Sequence, residues 1–241
     1  MTHEAWRLVG EPRFGGILVV SDHASNRVPE DIELGLDPAL MEQHIALDLG
    51  VEGVAERLAR HAGIAAFLGN VSRLVCDFNR AAHDFSSVPE ASDGKEIPGN
   101  FMADREARLD RFYWPYHNSL EAILSETPQA LLLSLHSFTP KLDSDPHSER
   151  PWDCGVLYNN DDRAARIAIP LLEAEGLVVG DNEPYSGKIL NNTMDRHAEG
   201  EGRPYFGIEI RQDRLATPEM QDEWAARLHR ICNAVAIELT G

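Results

Sequence analysis

Cysteine is scarce in this chain, basic side chains are outnumbered by acidic ones, and long apolar runs are missing. The three cysteines, Cys76, Cys154 and Cys232, are far apart and include no C-x-x-C pair, which excludes a disulfide framework and a zinc ribbon and points to a reducing compartment. With 22 Lys and Arg against 40 Asp and Glu, the formal charge is −18. Such an anionic field repels nucleic acid and anionic membranes, so neither is expected as a partner. No window of about 18 apolar residues occurs, and residues 1–16 lack the apolar core of a signal peptide, so the cytoplasm is the expected location. The N-x-S/T sequons at Asn70 and Asn191 then carry no meaning. A G-x-S-x-G elbow is also missing, and Cys76 and Cys154 sit in apolar surroundings, so a serine or cysteine nucleophile is disfavoured.

What is present suits a folded globular chain: 241 residues, 43% apolar and 26% charged, enough for a single domain spanning residues 1–241. Short β-branched or continuous apolar runs predict strands at 16–21, 64–68, 74–78, 130–135, 154–158, 177–179 and 205–210. Helical spacing predicts helices at 37–62, 104–126, 162–175 and 218–239. Asp37-Pro38 starts the first of these, and Pro115 should kink the second. Residues 81–99 read as a functional loop. The alternation of strands and helices predicts an α/β fold of three layers, α/β/α, around a mixed, mostly parallel sheet, with ligands collecting beyond the carboxyl ends of its strands.

Polar residues stand at three of those strand ends. Asp22-His23 follows the first strand, His136-Ser137 follows the central one, and Glu209 interrupts the last. Two imidazoles and a carboxylate, with one coordination position open, form a common catalytic metal site. His23 and His136 are therefore candidate ligands. Asp48 is the preferred third ligand, with Asn26 and Asp22 as alternatives, and Asp22 also suits the role of orienting an imidazole. Glu209, flanked by Ile208 and Ile210, is a carboxylate in an apolar strand and so a candidate general base. In Ser72-Arg-Leu-Val-Cys-Asp-Phe-Asn-Arg80, Asn79, Arg73 and Arg80 offer planar donors suited to a carboxylate, on a protein whose overall charge would repel one.

These segments resemble known enzymes. His136-Ser137-Phe138, Asn79-Arg80 and Glu209-Ile-Arg resemble, in order, the His-Ser-Tyr, Asn-Arg and Glu-Leu-Arg segments of zinc carboxypeptidases. More closely, Ser21-Asp-His-Ala-Ser-Asn-Arg-Val-Pro29, Ser72–Arg80, Phe112-Tyr-Trp-Pro-Tyr-His117 and the region from His197 to Arg211 look like the N-formylglutamate amidohydrolase family. The resemblance implies a carboxypeptidase-like fold, one zinc ion, and hydrolysis of the N-formyl amide of a small carboxylate-bearing amino acid such as N-formylglutamate. It further implies that zinc is held by His23, His136 and a carboxylate such as Asp48, that Glu209 is the base and that Arg73 steadies the oxyanion. Asn79, Arg80 and Arg73 would bind substrate, and His197 would close over it on a loop at 185–202. The His-x-x-Glu of the carboxypeptidase pattern is not kept, because His23 is followed by Ala-Ser-Asn26.

Overall fold

The computed structural model describes residues 1–145, 147 and 149–240. Seven strands form one sheet: β1 (Trp6–Val9), β2 (Ile17–Ser21), β3 (Ile64–Gly69), β6 (Leu131–Phe138), β7 (Cys154–Leu157), β8 (Val179–Asp181) and β9 (Tyr205–Arg211). Their spatial order is β1-β3-β2-β6-β9-β7-β8. A separate hairpin pairs β4 (Ala91–Ser92) with β5 (Lys95–Glu96). Pairing is parallel throughout the main sheet except at β1 against β3 and at β7 against β9. Helices α1 (Val51–Leu58), α4 (Arg163–Ala174) and α6 (Pro218–Thr240) cover one face; α3 (Trp114–Glu126) and α5 (Asn192–His197) cover the other. This is the three-layer, mostly parallel α/β arrangement that the alternation of elements predicts. Among the described residues no helix is long and apolar enough to cross a membrane.

The two-residue period of a strand decides what each face receives. In β2, Ile17 and Val19 join the core under α1 and α6, while Leu18 and Val20 join the core under α3. In β6, Leu131, Leu133 and Leu135 take the first side and Leu132 the second, which sends His136 to the α3 side. In β9, Phe206, Ile208 and Ile210 take the first side and Tyr205 the second, so Glu209 follows His136. Because β9 lies between β6 and β7, Glu209 is an interior residue of the sheet and not part of an exposed edge.

Several predicted elements change form. The helix expected over 37–62 is a single 3₁₀ turn, Pro38–Glu42, capped by Asp37, then irregular chain, and only then α1. Gly50 breaks it: its φ is +83°, and a Cβ there would lie 2.5 Å from Leu215 Cβ, a position only glycine fills. The strand expected over 74–78 is a coil of turns, closed by the amides of Val75 and Cys76 donating to Ser72 O. Residues 104–126 do stay helical, as α2 (Arg105–Arg108), a π turn (Leu109–Tyr113) and α3 in succession. The wide turn lets Pro115 enter at the start of α3, where a missing N–H costs least. Strand β1 was not expected, since its four residues lie in a mixed, charged stretch. The eighth strand begins at Val179, not at residue 177. The segment expected as a lid over 185–202 contains helix α5, which buries Thr193, Met194 and His197. All three cysteines are free and buried.

Candidate metal and catalytic site

The chain leaves β2 at Ser21 and delivers Asp22 and His23 to the carboxyl end of the sheet. Gly69 at the end of β3 makes room, since a Cβ there would lie 2.2 Å from Asp22 O. Freed from the helix by Gly50, the segment around Asp48 folds back onto this corner: the Asp48 amide donates to His23 O at 2.9 Å, and Ser137 Oγ at the end of β6 donates to Leu49 O at 2.9 Å. His136 arrives on β6. Thus His23, Asp48 and His136 present ligand atoms that all lie within 4.8 Å of one another, and all three residues are buried.

The two imidazoles are oriented alike. His23 Nε2 lies 2.8 Å from Asp77 Oδ1, and His136 Nε2 lies 3.4 Å from Asp22 Oδ2. Their Nδ1 atoms turn to one carboxylate oxygen, Asp48 Oδ2, at 3.4 Å for His23 and 2.8 Å for His136. A carboxylate behind each imidazole is the usual support of a metal-bound histidine. Asp22 is itself fixed, accepting from Tyr116 OH at 2.7 Å and Thr193 Oγ1 at 2.9 Å. Asn26 turns away, donating to Met41 O and Glu42, and does not join the cluster.

Electrostatics favour positive charge at this corner. Burial alone would raise the Asp48 carboxyl, but His23 and His136 hold it far below the usual carboxylate range. Burial and Arg73 push His23 down, yet Asp77 and Asp48 leave its pKa raised; His136, against the same burial, is raised well above its ordinary value by Asp22 and Asp48. The three donors fit a divalent ion. Buried His23 Nδ1 has no hydrogen-bond partner, and the surrounding carboxylates select a cation, whether proton or metal.

The cluster forms the floor of a cavity of about 140 Å³ whose lining includes Asn79, Arg80, Tyr185 and Glu209. Glu209 is buried, and its Oε2 has no hydrogen-bond partner. Burial pushes its carboxyl up to about 7, with Asp48 adding to the rise and His136 and Arg73 opposing it. The turns over 72–77 put Arg73 and Asp77 on one side, so that Arg73 spans Asp48 and Asp77 at 3.2 Å each. Arg80 lies 3.8 Å from Asp77 by its Nε. Asn79 is fixed through its Oδ1, which accepts from the Thr193 amide at 3.0 Å.

Of the residues expected at the site, Asn26 and His197 do not join it. His197 lies on α5 with no exposure, against His117 and Glu121, and does not line the cavity. Asp77, by contrast, supports His23 from behind its ring. His44 and Tyr185 also line the cavity, and no motif marks either.

A crystal structure of gene product Atu2144 from Agrobacterium tumefaciens matches with a TM-score of 0.91 and 29% identity, covering 99% of this chain and 97% of that one. N-formylglutamate amidohydrolase from Ralstonia eutropha JMP134 shares the fold, with a TM-score of 0.74, 18% identity and 99% of each chain covered. A search of curated sequences returned no match. The family model for N-formylglutamate amidohydrolase matches residues 15–216, a span that includes every candidate site residue named above, and the chain belongs to the N-formylglutamate amidohydrolase family.

Proposed function

We propose that this protein hydrolyses the N-formyl amide of a carboxylate-bearing amino acid such as N-formylglutamate, with zinc held by His23, Asp48 and His136. One observation carries the reading. A buried carboxylate with a raised pKa, Glu209, shares a cavity with a His-Asp-His cluster and with an arginine whose guanidinium makes no hydrogen bond among the described residues, Arg80.

When bound, a divalent ion supplies the positive charge that acidifies water and polarises a carbonyl. The remaining work falls to side chains. Glu209 takes a proton from the attacking water and returns it to the departing amine, a task suited to a group titrating near 7. Arg80 and Asn79 grip the substrate carboxylate and so hold the formyl carbon at one place, which makes the attack effectively intramolecular. Arg73, already spanning Asp48 and Asp77, adds positive charge beside the oxygen that turns negative. Formate and a free amino acid leave.

The clamp reads the carboxylate and not the acyl group, so the acyl preference is tested directly with N-formyl, N-acetyl and N-carbamoyl derivatives of glutamate and of neutral amino acids. The proposal expects the N-formyl compounds to be hydrolysed fastest. Hydrolysis confined to another acyl group would replace it with a related amidase activity, and no hydrolysis of any member would leave only a carboxylate-binding role.

A further inference from the structure

Helix α5 touches the site at one end and a buried histidine pair at the other. Thr193 and His197 are one helical turn apart on the same face. At the first end, the Thr193 amide binds Asn79 Oδ1 and its hydroxyl binds Asp22 Oδ1. At the other, His197 Nε2 lies 2.9 Å from His117 Nδ1, and His197 Nδ1 lies 3.1 Å from Glu121 Oε2. His117 Nε2 in turn lies 3.0 Å from Phe78 O.

Counting protons fixes the direction of this chain. A carbonyl oxygen only accepts, so His117 Nε2 carries a proton. Burial and the neighbouring His197 push the His117 pKa down to about 3, so the ring is neutral and its Nδ1 accepts from His197 Nε2–H. His197 Nδ1 then faces a carboxylate oxygen, and two acceptors at that distance would repel. A shared proton would relieve that repulsion, against the burial that lowers the His197 pKa. The charged groups around His197 are Glu121 on α3, Arg196 on its own helix, Arg203 beyond it and Asp22 after β2.

The far end of the chain of bonds is the backbone that carries the carboxylate clamp. Phe78 O also accepts from Asn192 Nδ2 and Thr193 Oγ1, each at 3.3 Å. Two residues on, Arg80 O accepts from Tyr113 OH at 3.0 Å, and Asn192 Nδ2 donates to that same hydroxyl at 3.1 Å. The peptide holding Asn79 and Arg80 is therefore suspended from α3, the π turn before it and α5.

We propose that Glu121, His197 and His117 form a proton-bridged strut that fixes α5 and the Phe78 carbonyl, and through them sets the position of the Asn79–Arg80 clamp. All three are positioning residues, and none lines the cavity. The inference rests on the reading that Asn79 and Arg80 grip the substrate carboxylate.

Glu121 is the accessible member, with a side chain 43% exposed, so its variants test the strut without emptying the core. The probes are N-formylglutamate and N-formylglutamine amide, which has no carboxylate. In the parent enzyme, kcat/KM for the amide should be at least about tenfold lower; equal values would refute the clamp, and the strut with it. In Glu121→Ala, KM for N-formylglutamate should rise about tenfold with kcat within about twofold, while kcat/KM for the amide stays at the parent value. Glu121→Gln should restore KM to within about twofold, since its carboxamide N–H supplies the bridging proton to a neutral His197. An unchanged KM in Glu121→Ala, an equal loss on both substrates, or failure of Glu121→Gln to restore KM would overturn the inference.

Discussion

His136 and Glu209 are register partners on the adjacent parallel strands β6 and β9, with their side chains on the same face of the sheet. One backbone ladder thus sets the spacing between a candidate ligand and the candidate base. A slip of one residue in that register would turn one of them into the opposite core, so the spacing of this pair is set by sheet pairing and not by loop conformation.

Replacing Glu209 with Gln keeps shape and removes proton transfer. Turnover should fall about 10²–10⁴-fold, while bound metal per chain and KM stay near the parent values. Steady-state kinetics with metal analysis measures this, and near-parent turnover would remove Glu209 from the mechanism.

The same carboxyl links stability to pH in metal-stripped protein. Its folded pKa, about 7, exceeds the ordinary value of 4.5, so between these limits the folded state binds more protons than the unfolded state. Its contribution to stability is therefore full below pH 4.5 and is lost as pH rises to about 7. Chemical denaturation of the metal-stripped protein at pH 8 should show Glu209→Gln to be more stable than the parent, with the difference vanishing near pH 4 to 5. A Gln variant less stable at pH 8 would contradict the assigned burial.

Asp48 balances His23, His136 and Arg73 at once. Asp48→Asn leaves two buried imidazoles and the partly buried Arg73 without their shared partner, a loss on the order of 3–5 kcal/mol when one member of a buried ion cluster is removed. Denaturant midpoints of the metal-stripped proteins should show the drop, and equilibrium dialysis with zinc should show weakened binding. Undiminished zinc affinity would exclude Asp48 as a ligand.

Arg80→Ala should act on binding and not on the reacting bond. KM for N-formylglutamate is expected to rise about 10–100-fold with a small change in kcat, the signature of a lost uniform interaction. A fall in kcat with KM unchanged would place Arg80 at the reaction centre instead.

Much of this site was legible because its chemistry stands out against apolar strands. His136 and Glu209 interrupt runs of buried aliphatic residues, and Asp22-His23 follows another such run. Asp48 was harder to place, since helical spacing continues through it; what frees it is Gly50 packed against Leu215, a contact more than 160 residues away in the chain. The stretch from Arg73 to Asp77 has the apolar pattern of a strand, yet its amides return to Ser72, and only that turn brings both side chains to His23 and Asp48. His197 lies in a polar stretch that reads as a loop, while tertiary packing against His117 buries it in a helix. Where local pattern and tertiary contact agreed, sequence sufficed; at Gly50 and His197 a distant contact decided, and at Ser72 a local turn did.

The most direct measurement is zinc content and N-formylglutamate hydrolysis before and after chelation. The active protein should hold about one zinc per chain, lose activity on stripping and recover it when zinc is added back. Hydrolysis that persists undiminished in protein shown to contain no metal would contradict a zinc-dependent mechanism.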